Sequence, residues 1–386
     1  MTADDLRAQR FPLLAPLRFF HAPAQGRRRV TLVTDSISKG SLFGGVGTAL
    51  LLAVQLANRL AADLRVITRL EPPLGSHLDH LLQVYGHRLD GESRFRFSPL
   101  DDVRIEHDLL EDEWFITTSW WTTAATLAAI APQRIAYLLQ EDERMFYPQG
   151  DERLRCENLL QRQDLQFIIN TELLRQHFIQ DGFAHFAHRA QSFEPAFPHR
   201  VFRPRPAVAR ARRRFVFYAR PGNARNLFHL GVDVIDAALN RNILNPQQWE
   251  IIFVGHDIPD LTLAGDVRPT RLMGLDWGSY AELLGSCDLG LSLMYTPHPS
   301  YPPLDMVASG AVAVSTRHGL KQDLSALSRN LILCQPDIPA LLAGLQAAVE
   351  LVADTPRREA QYQQTALARD WPTALHAVVE QLATRP

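Results

Sequence analysis

Along most of the chain, short runs of apolar and β-branched residues alternate with longer stretches whose apolar positions recur at helical spacing. The first run, Arg29-Val-Thr-Leu-Val-Thr34, is apolar nearly throughout, as suits a central strand of a parallel sheet covered on both faces. A loop and a helix over 46–62 are expected next, then a second strand over 64–69. Further strands are expected over 114–118, 134–139 and 165–170, each followed by a helical stretch. The pattern breaks at 195–214, where Pro195, Pro198, Pro204 and Pro206 resist both helix and central strand, so that the stretch reads as a linker. It then restarts, with strands over 215–219, 250–254, 289–294, 311–315 and 330–334 and helices over 339–353 and 372–383. This order predicts an α/β protein of two doubly wound, Rossmann-like domains. The expected division is an N-terminal domain over 1–206, a C-terminal domain over 207–366, and a helical segment over 367–386 that packs back on the first domain.

Length agrees with two domains: the chain has 386 residues, and a single core stops growing near about 250–300 residues. Apolar residues make up 46% and charged residues 21%, as in an ordinary globular protein. Basic residues number 40 and acidic ones 42, a balance that argues against a dedicated nucleic-acid binder. Only Lys39 and Lys321 are lysines, so an anion site is expected to use the planar fork of Arg. Cys156, Cys287 and Cys334 are widely separated and make no zinc spacing, which predicts a reducing compartment. The first residues are acidic where a signal peptide is basic. The longest apolar stretch, 46–56, is far short of the roughly 20 residues that span a bilayer. A cytoplasmic protein is expected.

In open parallel sheets, ligands bind beyond the carboxyl ends of the strands, and four loops there carry candidate chemistry. Phe43-Gly44-Gly45-Val46-Gly47 can offer backbone N–H groups to an anion at a helix start, or is only a tight turn. Arg220 and Arg225, with Asn226 beside them, follow the first strand of the second half and can grip a diphosphate; solvated surface arginines are the alternative. The run from Tyr295 to Gly310 holds His298, Ser300 and Tyr301 in a stiff loop, then opens a helix at Pro302 and Pro303 whose N-terminus can take a phosphate. Asp305 in that helix can accept hydrogen bonds from sugar hydroxyls, or is an acid favoured by the helix start. Gln140-Glu141-Asp142-Glu143 ends a first-half strand and can act as a base or hold a hydroxylated acceptor. It has no His at ligand spacing for a metal.

Together these loops resemble a glycosyltransferase of the GT-B fold, family 4. Arg220 and Arg225 match its Arg…Lys pair in spacing, and Val254-Gly255-His256 resembles its strand-end segment. Leu304-Asp305-Met306-Val307-Ala308-Ser309-Gly310 resembles its donor-loop helix. More narrowly, the chain resembles rhamnosyltransferases of the WsaF type. The signals are Phe43-Gly44-Gly45, Gln140 with Glu143, Phe146-Tyr147-Pro148, Asn170-Thr171-Glu172-Leu173 and, above all, Leu293-Met294-Tyr295-Thr296-Pro297-His298-Pro299-Ser300-Tyr301-Pro302-Pro303-Leu304. Pro297 and Asp305 stand where family 4 carries two glutamates, and Trp120 or Trp121 where many members carry a first-domain His.

The resemblance implies two facing domains with a cleft between them. It implies retaining transfer of L-rhamnose from dTDP-β-L-rhamnose to a growing bacterial surface polysaccharide of the rhamnan or O-antigen kind. The second domain would hold the donor through Arg220, Arg225, Asn226, His298, Ser300, Tyr301 and Asp305, with Asp305 on the deoxyribose. Gly44 and Gly45 would close over the donor phosphates, while Phe43, Trp120, Trp121, Gln140 and Glu143 would serve the acceptor sugar. Arg220, Arg225 and the helix start at Pro302 would neutralise the leaving diphosphate, so no metal and no other cofactor is expected. Glu143 is the candidate general base. Expected partners are dTDP-L-rhamnose, a lipid-linked glycan acceptor and other glycan-assembly enzymes, with no nucleic acid. The acid-free, Arg-rich stretch 195–232 can touch anionic lipid at the inner face of the cytoplasmic membrane, or is a solvated linker. Competing classes are a GT-B nucleotide-sugar epimerase, which needs no acceptor, and a non-catalytic glycan-binding protein.

Overall fold

The computed structural model describes residues 1–23, 27–38, 44–102, 104–205 and 210–384. It divides into two compact units, Met1–Pro195 with Asp370–Pro386, and Ala196–Arg369.

In the first unit the described strands are β1 (Arg18–His21), β2 (Arg29–Thr34), β3 (Asp63–Thr68), β4 (Ser93–Phe97), β5 (Glu106–Leu109), β6 (Glu113–Thr117), β7 (Ile135–Leu139), β8 (Gln166–Asn170) and β9 (Ala190–Phe193). Seven of them form one sheet in the order β4-β3-β2-β6-β7-β8-β9, and β1 pairs with β5 apart from it. All these pairings are parallel. The chain builds outward from β2 in one direction and from β6 in the other, so the switch in strand order lies between β2 and β6. Every residue of β2 is buried, which accounts for its unbroken apolar run. The helix Gly45–Arg59 buries Leu50, Leu51, Leu52, Val54 and Leu56, so the longest apolar stretch of the sequence is a core helix. Trp371–Ala383, capped by Asp370, lies along that helix within the same unit, with Arg59 and Glu380 paired at 2.6 and 2.9 Å.

Near the amino ends of these strands, Arg29 and Arg65 are buried against acids. Arg29 donates to Asp108 at 2.6 Å and to Glu113 at 2.7 Å, while Arg65 and Thr31 also donate to Glu113. Glu113 is almost fully buried, and its carboxylate is held by several donors at once.

The second unit carries β10 (Arg213–Ala219), β11 (Trp249–Gly255), β12 (Thr270–Met273), β13 (Leu289–Leu291), β14 (Val312–Thr316) and β15 (Leu331–Cys334). Among the described residues they form one parallel sheet in the order β12-β11-β10-β13-β14-β15, with the switch between β10 and β13. Phe215, Phe217, Phe253, Leu291 and Val314 meet Val234, Ile235, Leu341 and Leu345 of the covering helices in one apolar core. Among the described residues, no single helix is long and apolar enough to cross a membrane.

The proline-rich stretch differs from the expected linker. Proline forbids ladder and helix hydrogen bonds but not packing, and Phe197 and Phe202 are buried in the second unit. The Phe197 N–H donates to Ala368 O at 2.7 Å, Arg369 donates to Phe197 O at 2.9 Å, and the Arg205 N–H donates to Gly285 O at 2.8 Å. The unit boundaries therefore fall at 195/196 and 369/370 in place of 206/207 and 366/367. Several arginines of the acid-free stretch are bound within the second unit: Arg205 to Glu282 at 2.6 Å, Arg210 to Asp288 at 3.2 Å and Arg214 to Glu250 at 3.1 Å. The strand expected over 289–294 stops at Leu291; the following backbone bonds side chains, Leu293 O accepting from Asn226 and Met294 N donating to Thr316.

Candidate functional site

In the second unit, two loops flank the switch point. The loop leaving β10 runs through Arg220 to Asn226. Asn223 Oδ1 accepts from both the backbone N–H and the Nε of Arg225, at 3.2 and 3.3 Å, which sets that side chain. Arg220 is exposed and stands against Tyr218, whose hydroxyl burial holds neutral and which also neighbours Asp305. The loop leaving β13 is tied across the switch: the Tyr295 N–H donates to Arg225 O at 2.8 Å, and Asn226 Nδ2 donates to Leu293 O at 3.3 Å. Asn226 is buried, so it joins the two loops where it was expected to meet the donor directly.

Further along, the His298 ring accepts the Ser300 N–H at Nδ1, at 2.9 Å. Burial, with the Lys321 charge beside it, lowers the His298 pKa to about 3, so the ring is neutral with its proton on Nε2. Ser300 has φ 74 and ψ 143, a conformation disfavoured for any L residue, and it begins the helix Tyr301–Ala308. Tyr301 packs with its ring 6.3 Å from that of Phe197. The helix start is a poorer anion site than expected. Pro302 and Pro303 have no N–H, and the Ser300 N–H is taken by His298, so three of the four end amides are not open to a phosphate. Arg220 and Arg225 carry their positive charges on the neighbouring loop. Asp305 is only 4% exposed and lies 3.4 Å from the Tyr280 hydroxyl. Burial raises its pKa well above the ordinary carboxylate value, and the carboxyl is enclosed where a sugar-binding carboxylate was expected.

In the first unit, the switch point brings together the ends of β2, β6 and β7. Gly44 has φ 76 and ψ −110, which only glycine adopts readily, and its carbonyl accepts from Thr48 as the helix begins. A side chain on Gly45 would come within 3.1 Å of Gln140 Nε2, and that nitrogen donates to Gly45 O at 2.8 Å. Asn170 in turn donates to Gln140 at 3.3 Å. The glycine pair and Gln140 thus build a close turn, and Gln140 is spent within it. Phe43 lies outside the described residues.

Trp120 and Trp121 have different fates. Trp120 is 4% exposed, and its Nε1 donates to Tyr147 at 3.0 Å, so it is core and not a sugar contact. Trp121 is half-buried, and its Nε1 donates to both oxygens of Asp35. Asp35 is the residue immediately after β2. Burial raises its pKa, with the Trp121 hydrogen bond and the Arg69 charge opposing. Phe146, exposed at its edge, stands 6.4 Å from Trp121. Asp35, Trp121 and Phe146 therefore form a carboxylate flanked by aromatic faces, a surface suited to a sugar ring and its hydroxyls. Asp35 was missed in the sequence; its signal was an acid directly after a central strand beside the switch.

Glu143 is 3% exposed and accepts the Trp120 N–H at 2.7 Å, so it anchors a helix start. Burial pushes its pKa up to about 8; the hydrogen bonds of Trp120 and Tyr137 oppose this, and the charges of Asp35 and Asp142 add to it. An oxygen of Glu143 is taken by the Trp120 N–H inside the unit, so the carboxyl expected as general base is enclosed and part of the framework. Although no His lies near in sequence, the fold brings His177 within 3.2 Å of Asp142, with Asp181 close by. Arg144 already bonds both acids, at 2.7 and 2.6 Å, and supplies the positive charge a cation would bring.

Residues 213–346 match the family model described as WsaF, C-terminal domain. Over 236 residues the chain is 31% identical to the O-antigen biosynthesis protein RfbC of Myxococcus xanthus; the match takes in 61% of this chain and 18% of that protein. The chain thus spans under a fifth of the curated relative it matches. Among solved structures it is similar to HepE of Anabaena in complex with UDP and glucose, with a TM-score of 0.64 at 15% identity, over 93% of this chain and 100% of that one. It is also similar to WaaG, a glycosyltransferase involved in lipopolysaccharide biosynthesis, with a TM-score of 0.56 at 13% identity, over 93% and 100%. Two parallel, doubly wound sheets and these likenesses establish the GT-B fold, and over residues 213–346 the second unit is similar to the C-terminal domain of WsaF.

Proposed function

We propose that this protein is a metal-independent, retaining glycosyltransferase that moves L-rhamnose from dTDP-L-rhamnose to a lipid-linked surface polysaccharide at the inner face of the cytoplasmic membrane. The observation that carries the reading is the tie of Tyr295 to Arg225 across the switch point of the WsaF-type unit. It joins an arginine-bearing loop to the run Leu293–Leu304, at the end of the sheet where α/β proteins bind nucleotides. The name of the Myxococcus relative and the UDP and glucose bound by HepE support a nucleotide-sugar donor and a surface-glycan product.

Negative charge builds on the leaving diphosphate as the glycosidic bond breaks. The guanidinium groups of Arg220 and Arg225 oppose it, as fixed charges that need no reorganisation. In a front-face substitution the departing phosphate oxygen takes the proton of the attacking hydroxyl. The protein then has only to orient that hydroxyl, and Asp35, fixed by Trp121, is the carboxylate suited to this.

The test is a thermal-shift panel of nucleotide sugars followed by a transfer assay with and without EDTA. The largest stabilisation is expected with dTDP-L-rhamnose, and transfer is expected to survive EDTA. No shift with any nucleotide sugar overturns the reading. Preference for another donor corrects the sugar, conversion of the donor without acceptor makes the protein an epimerase, and loss of transfer in EDTA restored by magnesium overturns metal independence.

A further inference from the structure

Lys321 is one of two lysines among 40 basic residues, and it is completely buried. It lies in the turn after β14, where its backbone exchanges hydrogen bonds with His318 at 3.1 and 2.7 Å. From there Nζ reaches back to the loop leaving β13 and donates to Met294 O at 2.8 Å and to His298 O at 3.2 Å. Thr316 holds the same loop, accepting from Met294 N and donating to Met294 O.

We propose that Lys321 is the positioning residue of this loop: its ammonium, seated between the carbonyls of Met294 and His298, fixes the backbone over 294–300 and with it the shape of the loop that meets the donor. This rests on the reading of that loop as a nucleotide-sugar site. The strain at Ser300 persists only where its surroundings hold it, and the Lys321 clamp sits directly upstream. A buried ammonium is costly unless hydrogen-bonded, so the carbonyls and the cation hold one another in place. The same charge helps keep His298 neutral, which leaves Nδ1 able to accept from Ser300.

The choice of Lys in an Arg-rich chain follows from shape. A compact ammonium directs its three N–H groups along diverging lines and fits a closed slot between two carbonyls. A planar guanidinium is wider and needs a flat, forked partner, so Lys321→Arg is not conservative at this position.

Lys321→Met and Lys321→Arg test the proposal in the full-length protein. Hydrogen exchange in the absence of donor is expected to accelerate in peptides spanning 293–301 in both variants, with the β10 and β11 peptides unchanged. In the transfer assay the donor KM is expected to rise about tenfold or more, as fits loss of two charge-assisted hydrogen bonds, with a much smaller change in kcat. The NMR titration of His298 is expected to move upward in Lys321→Met. Unchanged exchange over 293–301 in a folded variant overturns the clamp, and a wild-type donor KM in Lys321→Arg overturns the shape argument. Where Lys321→Met does not fold, Lys321→Arg, which keeps the charge, decides between these outcomes. Should the wild-type protein bind no nucleotide sugar, the functional reading falls while the exchange result still tests the clamp.

Discussion

The Trp121 indole nitrogen donates to both oxygens of the Asp35 carboxylate, at 2.8 and 3.0 Å. This pins a single orientation of an acid that sits at the end of β2, beside the switch in strand order. Asp35→Asn is expected to lower kcat for transfer by roughly 10²-fold, the scale of a misplaced reacting group. Trp121→Phe keeps a ring but removes the N–H, and is expected to raise the acceptor KM. Steady-state rates at varied acceptor, with nucleotide binding measured alongside, check both. Loss of nucleotide binding in either variant would count against an acceptor role.

Arg220→Ala and Arg225→Ala remove the charges assigned to the diphosphate. Each is expected to reduce kcat/KM by about 10²-fold or more, as for loss of one fixed donor at a developing charge. The tie between the loops should survive in Arg225→Ala, because it runs through the backbone carbonyl of Arg225. Calorimetric titration with dTDP measures the accompanying loss of affinity. Unaltered dTDP binding and turnover in both variants would remove the clamp from the mechanism.

Glu113→Ala leaves Arg29 and Arg65 buried with their principal partner gone. Breaking a buried pair by deleting one member costs about 3–5 kcal/mol. Urea denaturation should show that loss in the first unit, with Asp108 offering only a half-exposed substitute. A loss under about 1 kcal/mol, the scale of an exposed pair, would mean that water reaches the cluster.

Glu143 gives a pH dependence whose sign follows from its raised pKa. Between its ordinary value of 4.5 and about 8, the folded protein keeps a proton that the unfolded chain has released. Stability from this group is therefore full below the lower value and lost as pH rises through the upper one. Glu143→Gln carries the neutral form permanently. Its unfolding free energy relative to wild type is expected to improve from about pH 5 to about pH 8. A constant difference across that range would place the carboxyl in contact with solvent.

Sequence patterning found the strands buried on both faces and the edge strand β15, and missed the edge strands β4, β9 and β12. β2, β7 and β8 are buried throughout and read as apolar runs. β4 and β12 are largely exposed and carry Arg94, Arg96 and Arg271, so no apolar run marks them. Prolines at 195–206 were legible as breaks, but the packing of Phe197 and Phe202 was not, since it depends on partners far along the chain. The Arg220–Arg225 loop was found from its place after a strand. Trp120 and Trp121 could not be separated, because adjacent helical residues diverge by about 100° and only the fold decides which faces inward. Lys321 and His177 act on residues 27 and 35 positions away in sequence, at spacings no local motif encodes.

The helix Trp371–Ala383 belongs to the first unit although the whole second unit intervenes in the chain. The second unit is thus an uninterrupted insertion, and its sheet can close while the first unit still lacks a piece. During synthesis the apolar side of Gly45–Arg59 that this helix covers waits through the making of the whole stretch from Ala196 to Arg369. The unit begun first is completed only after the second has been made. The exposed helix face is the surface that chaperones would guard and that premature termination would leave bare.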